Sequence, residues 1–212
     1  MISAREALKR LQDGNRRFTS SVRGTEPYLS HARRAELAKN QEPFAIILGC
    51  SDSRVPAELV FDQGFGDLFV IRVAGNIVAP SQIGSVEFAA ARFGTRLVVV
   101  LGHSQCGAVV ATLEELLGRA TTESKNLRSI VDRVRPSVED LLAGPHAEDP
   151  ELLVREAVLA NVRASVQKLR HGSELLERLI ETDGLRIVGA KYSLASGVVT
   201  YFDGVPSDVS LR

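Results

Sequence analysis

Two hydrophobic rhythms alternate along the middle of this chain. "PFAIILGC" (43–50) is a short, near-continuous apolar run, the pattern of a strand buried on both faces. "VPAELVFD" then reads as a short helical turn, and "GDLFVIRVAG" (66–75) as a second strand. "SQIGSVEFAAARFG" (81–94) has helical spacing, with Ser81 as its expected N-cap and Gly94 as its stop. "RLVVVLGH" (96–103) is a third strand, and "SQCGAVVATLEELLG" (104–118) a helix that opens at once. Strand–helix–strand units this close predict a parallel sheet with helices on its faces.

The flanks follow other patterns. Residues 1–40 are helical and charged, broken at "GTEPYLS", with Ser3 and Glu6 forming a capping box. Their few strong core residues suggest an N-terminal arm that packs on another surface, a partner subunit included. Residues 120–182 are mostly helical, interrupted near "GPHAEDP" (144–150). "GLRIVGAKYSLASGVVTYF" (184–202) reads as a strand, a tight turn and a returning strand, which favours an antiparallel edge. The expected fold is α/β: about four parallel strands in the order 2-1-3-4, an antiparallel edge strand, and flanking helices. At 212 residues, one domain over 1–212 is expected.

Charge narrows the choice of partner. Lys+Arg and Asp+Glu both total 26, so no net field favours nucleic acid or an anionic membrane. No apolar run approaches the ~20 residues of a membrane span, and the opening residues lack the apolar core of a secretory signal. Two cysteines are too few for a disulfide framework and fit a reducing compartment, so a cytoplasmic location is expected.

Those two cysteines sit where chemistry is expected. Cys50 ends the first strand, His103 ends the third, and Cys106 opens the next helix. Open parallel sheets bind ligands outside the carboxyl ends of strands, where the winding reverses. If strands one and three are neighbours with strand two beyond strand one, Cys50 and His103 meet at that point. Two thiolates and an imidazole suit zinc, and a helix N-terminus favours the Cys106 thiolate. A structural zinc site closes with four Cys or His, whereas three protein ligands leave a position for chemistry. Each residue also has an ordinary reading: a buried cysteine is commonly a small hydrophobe, and a Cys50–Cys106 disulfide is an alternative. Asp52 either caps the turn and pairs with Arg54, or serves the metal: it reaches the fourth position, or accepts a hydrogen bond from metal-bound water while Arg54 holds its carboxylate by a charge-assisted bond. His31, His146 and His171 lie in helical or loop segments and read as solvent-facing.

"CSDSRV" with "GHSQCGAV" resembles the paired signatures of the β-class carbonic anhydrases, and "ELVFDQGFGDLFVIRVAGNIV" between them resembles the same family. The likeness is close from about residue 41 to 112. It implies one zinc ion per chain on Cys50, His103 and Cys106, Asp52 and Arg54 as the catalytic pair, and Asp52 as a fourth ligand in a closed state at lower pH. It implies a domain-swapping N-terminal arm and a homodimer, or a tetramer built from dimers. Gln41 matches a glutamine that faces the substrate from across the dimer. Phe69 and Phe88 match pocket positions with plain core as the alternative, and Gly107 offers a backbone N–H near the metal. Some bacterial members carry a second, inhibitory bicarbonate site made by Trp, Arg and Tyr. Arg72 and Tyr192 match two of these, but Ile47 stands in place of the Trp, so that site is expected to be absent or weakened.

The implied reaction is reversible hydration of carbon dioxide to bicarbonate and a proton, by attack of zinc-bound hydroxide. Two thiolates donate more charge than imidazoles do, which implies a higher water pKa than in a three-histidine site and activity that rises with pH. The competing readings are a hydrolase of another heterocumulene such as carbon disulfide, and a zinc sensor or structural protein. The latter would close the fourth position permanently.

Overall fold

The computed structural model describes residues 2–22, 35 and 37–205. Five strands form one sheet in the order β2-β1-β3-β4-β5. β1 (Ala45–Gly49) lies parallel between β2 (Leu68–Arg72) and β3 (Leu97–His103), and β3 is parallel to β4 (Arg186–Tyr192). β5 (Val199–Asp203) returns antiparallel on β4. The expected order 2-1-3-4 with an antiparallel edge is therefore the observed one. Its cause is visible in β1 and β3, whose Ile, Leu and Val side chains are buried on both faces.

Strand periodicity divides those side chains between two layers. Ile47, Leu97, Val99, Leu101 and Val188 face α1 (Ala4–Thr19) and the one-turn α2 (Ala57–Val60). Ile46, Leu48, Val98, Val100 and Ile187 face α3 (Pro80–Arg92), α6 (Pro150–His171) and α7 (Glu174–Thr182). A third cluster lies where α4 (Gly107–Leu116), α5 (Lys125–Val138) and the first turns of α6 meet, and it includes Cys50 and Cys106.

Three expectations need correction. First, the expected shortage of core residues does not hold for α1, which docks on its own chain. Ala4, Ala7, Leu8 and Leu11 are buried with Phe61, Ile47 and Val99 of the same chain. Asn15 fastens it there: its Nδ2 donates to the carbonyls of Val60 (3.0 Å) and Gly197 (2.9 Å), and its Oδ1 accepts from the Val199 amide (2.9 Å). A single turn, α2, is too short to cover this face, so the sheet needs α1. Approach is close enough that a Cβ on Gly14 would lie 1.8 Å from the Phe61 carbonyl oxygen. The Ser3–Glu6 capping box is present, and arm residues 23–34 and 36 lie outside the described residues.

Second, Ser81 is not the cap of α3. Pro80 occupies the first turn, where its fixed φ and missing N–H suit the helix start, and Ala79 takes the cap position. Ser81 Oγ donates instead to Gln82 Oε1 at 3.2 Å, while Gly94, at φ +65°, follows the helix end as expected. Third, residues 104–106 are not yet helical. Gln105 adopts a left-handed φ of 55°, and α4 starts at Gly107 with Cys106 at its N-cap.

Candidate metal centre

The carboxyl ends of β1 and β3 lie side by side, Gly49 opposite Leu101, which brings the residues that follow them together. Cys50, His103 and Cys106 are all buried, and their candidate ligand atoms lie within 4.8 Å of one another. The two sulfurs are 4.0 Å apart and both thiols are free. A tetrahedral zinc with Zn–S bonds of ~2.3 Å places two sulfurs ~3.8 Å apart, so the spacing is that of two ligands of one ion.

His103 supplies the sharpest test of fit. Its Nδ1 lies 3.0 Å from the Ser104 carbonyl oxygen, which can only accept, so Nδ1 carries the proton. Nε2 then presents a lone pair. It is buried with no hydrogen-bond partner among the described residues, a costly arrangement for a polar atom unless a ligand meets it. A ring whose far nitrogen donates to a carbonyl is the usual posture of a metal-ligating histidine.

The three titratable groups act on one another. The hydrogen bond from Cys106 lowers the Cys50 thiol; burial opposes, and His103 and the backbone N–H groups of Gly75 and Asp52 add to the lowering. Cys106 is raised as the donor of that bond, then by burial and by the negative charge of Cys50, against the amides of Val109 and Ala108 at the start of α4. Burial opposes a charge on His103, yet the neighbouring Cys50 sulfur, the Ser104 carbonyl and the charge of Asp52 raise it overall.

Asp52 and Arg54 flank this cluster. Arg54 donates from Nε to Asp52 Oδ1 at 2.9 Å and from Nη2 to Oδ2 at 2.7 Å, and its backbone N–H also donates to Oδ1 at 2.9 Å. The bidentate bond to Arg54 is the main reason the Asp52 carboxyl sits far below the usual carboxylate range, burial opposing. Asp52 Oδ2 stands 3.8 Å from His103 Nε2, so its carboxylate borders the same space as the three candidate ligands while paired with Arg54.

Arg72, expected only at a second bicarbonate site, and Gly75, which the motifs do not single out, complete the surroundings. Arg72, at the tip of β2, donates from Nε to the Cys50 carbonyl at 3.1 Å and from Nη2 to the Asp52 carbonyl at 2.6 Å, clamping the turn between them. The Gly75 amide donates to Cys50 Sγ at 3.3 Å from a 3₁₀ turn (Ala74–Asn76). A Gly-Asn dipeptide three residues past the end of β2 is the available sequence signal for that turn.

Other expected residues are elsewhere in the chain. Gln41 is exposed and precedes β1, which runs ~16 Å from Ala45 to Cys50 at ~3.3 Å per residue. It borders a 450 Å³ cavity with Phe65, Gly66 and Phe93. Phe69 packs with Phe88 and Phe93, ring centroids 5.6–6.2 Å apart, along the β2 edge of the sheet. Phe88 is 55% exposed. None of the three joins the cluster within one chain. Gly107 is exposed beside Cys106, with open space where a Cβ would stand. Ile47 is fully buried between Val70 and Val99, and Tyr192 is buried against Phe18. His146 and His171 are exposed, as expected, and His31 lies outside the described residues.

Comparison with known proteins agrees with this geometry. The sequence model of the family described as "Carbonic anhydrase" matches residues 45–199. "Carbonic anhydrase 2" of Mycobacterium tuberculosis is 41% identical over 191 residues, 90% of this chain and 89% of that protein. The solved structure of the β-carbonic anhydrase CcaA matches with TM-score 0.73 at 27% identity, over 98% of this chain and 92% of its own. A structure from the study of two tetrameric β-carbonic anhydrases of Sordaria macrospora gives TM-score 0.73 at 25% identity, over 80% of this chain and 85% of its own. The chain belongs to the β-class carbonic anhydrases, a lyase family. Among the described residues, no helix is long and apolar enough to cross a membrane.

Proposed function

We propose that the chain catalyses reversible hydration of carbon dioxide to bicarbonate and a proton, with one zinc ion held by Cys50, His103 and Cys106. The observation that carries this reading is the buried, unpartnered His103 Nε2 facing two free thiols beside an Arg54-held carboxylate. Zinc, when bound, supplies Lewis acidity that makes a water nucleophilic near neutral pH.

The protein's own residues do the rest. Asp52 is the hydrogen-bond acceptor for the reacting water. Because its carboxyl is held far below the usual range, it remains an acceptor across the neutral region and orients the lone pair that attacks carbon. Arg54 fixes the carboxylate at two points, and Arg72 holds the backbone on either side of Ser51, so the acceptor does not drift. Ionised Asp52 also lets the product proton leave through solvent rather than remain on the carboxylate.

The working unit in this reading is a homodimer, alone or paired into a tetramer. Phe88 (55% exposed) and Phe65 (54%) leave apolar surface beside the outer β2 edge and Gln41, a surface suited to a second copy. Gln41, Phe69 and Phe88 then border the substrate space across that interface, while Gly107 adds a backbone N–H beside the metal. The inhibitory bicarbonate site is absent or weakened, since buried Ile47 offers no donor and Arg72 is engaged by the Cys50–Asp52 turn. Two free thiols at the site favour a reducing, cytoplasmic setting.

Two variants separate binding from chemistry. Cys106→Ser loses zinc and carbon dioxide hydration together, whereas Asp52→Asn keeps about one zinc per chain and loses ~10²-fold or more in rate. Metal analysis and stopped-flow hydration on the same samples decide. An Asp52→Asn protein with wild-type rate removes Asp52 from the mechanism, and a fully active, zinc-free Cys106→Ser protein removes the metal.

A further inference from the structure

We infer that Asn161, in the middle of α6, is a positioning residue for the metal centre, acting through Gly75 on Cys50; the inference rests on the zinc reading above. Asn161 lies on the helix that covers the sheet, 111 positions beyond Cys50 in the chain. It is buried, and its Nδ2 donates to the Gly75 carbonyl at 2.8 Å. One turn later, Ser165 Oγ donates to the Asn76 carbonyl at 3.1 Å. On the other side of the same turn, the Gly75 N–H donates to Cys50 Sγ at 3.3 Å.

Glycine is free to rotate on both sides of its Cα, so a lone Gly75 would not keep its N–H on the sulfur. Here its carbonyl is anchored by Asn161 and the following carbonyl by Ser165. The left-handed φ of Gly75 (+71°) and of Asn76 (44°) is thereby held, and the N–H stays aimed at the ligand atom.

The same turn touches the carriers of the other two ligands. A Cβ on Gly75 would lie 3.0 Å from Ala108 Cβ, two residues past Cys106. The Asn76 Oδ1 lies 3.7 Å from where a Cβ on Gly102 would stand, one residue before His103. Asn161 therefore fastens a turn that adjoins all three ligand-bearing segments. Partners behind metal ligands of this kind typically govern metal affinity by ~10–100-fold.

The test is zinc affinity by chelator competition on the full chain, with wild type, Asn161→Ala and Ser165→Ala compared at one pH. Cadmium-113 NMR of the cadmium-loaded proteins reports on the sulfur environment, which a merely structural role would leave unmoved. The expected result is a zinc Kd at least ~10-fold weaker for Asn161→Ala and a displaced cadmium resonance, with a smaller change of the same kind for Ser165→Ala. A folded Asn161→Ala protein with wild-type Kd and resonance overturns the inference. If Asn161→Ala does not fold, unchanged Kd and resonance in Ser165→Ala overturn it. Wild-type protein that takes up no zinc defeats the underlying zinc reading instead.

Discussion

Gly102→Ala probes how α6 and the central strand set the position of His103. Gly102 is the penultimate residue of β3, opposite Lys191 of β4. A Cβ added there would lie 2.5 Å from Val162 Cγ2 and 3.5 Å from Val158 Cγ1. Carbon atoms rest at ~3.5–4.0 Å, so the first contact is short by ~1 Å. Val162 cannot turn aside: it is fully buried, and a β-branched side chain in a helix keeps essentially one rotamer. The strand or the helix must shift, at a cost of ~1–3 kcal/mol. Val162→Ala alone costs ~2 kcal/mol for the lost burial and the void. In the double variant the new methyl occupies space that Val162 vacates, so the two losses should fall short of their sum by at least ~1 kcal/mol. Urea unfolding of the four proteins under one condition gives the cycle. Losses that add within ~0.5 kcal/mol, or a Gly102→Ala protein as stable as wild type, refute the steric argument.

Two further predictions concern the core. Leu11→Ala, on the buried face of α1, is expected to cost ~2–5 kcal/mol by urea unfolding, because that helix belongs to the chain's own core; a loss below ~1 kcal/mol would mean α1 is not docked there. Tyr201 has a buried hydroxyl without a hydrogen-bond partner among the described residues, and burial pushes its phenol well above the usual range. A raised folded pKa contributes stability below the unfolded value of ~10 and loses it as pH rises further. Tyr201→Phe should therefore match or exceed wild-type stability at pH ~8 and decline less above pH ~10, as measured by urea midpoints across that range.

Most of what positions the centre is carried by local pattern. The unbroken Val, Ile and Leu runs of β1 and β3 mark central strands, and parallel order follows once helices intervene. Cys50 and His103 then lie at neighbouring strand tips, and the two short motifs carry the family likeness. What the pattern hides is non-local or depends on a choice between neighbours. Pro80 displaces Ser81 from the cap because a fixed φ and a missing N–H suit the first turn better than a hydroxyl does. The docking of α1 depends on Asn15 finding Val60, Gly197 and Val199, contacts up to 184 residues apart. Gln41, Phe69 and Phe88 fall away from the cluster because they lie before β1, midway along edge strand β2 and on an outer helix. Asn161 carries no signal of its own, since a polar residue on a helix gives no hint that its partner is a carbonyl behind a cysteine.

The central claim meets its most direct test in stopped-flow hydration of carbon dioxide by the wild-type chain, with zinc measured on the same sample and pH varied from neutral to above 8. The account predicts about one zinc per chain and a hydration rate that follows zinc content and rises with pH. A zinc-replete sample that leaves the uncatalysed rate unchanged above pH 8 would contradict it.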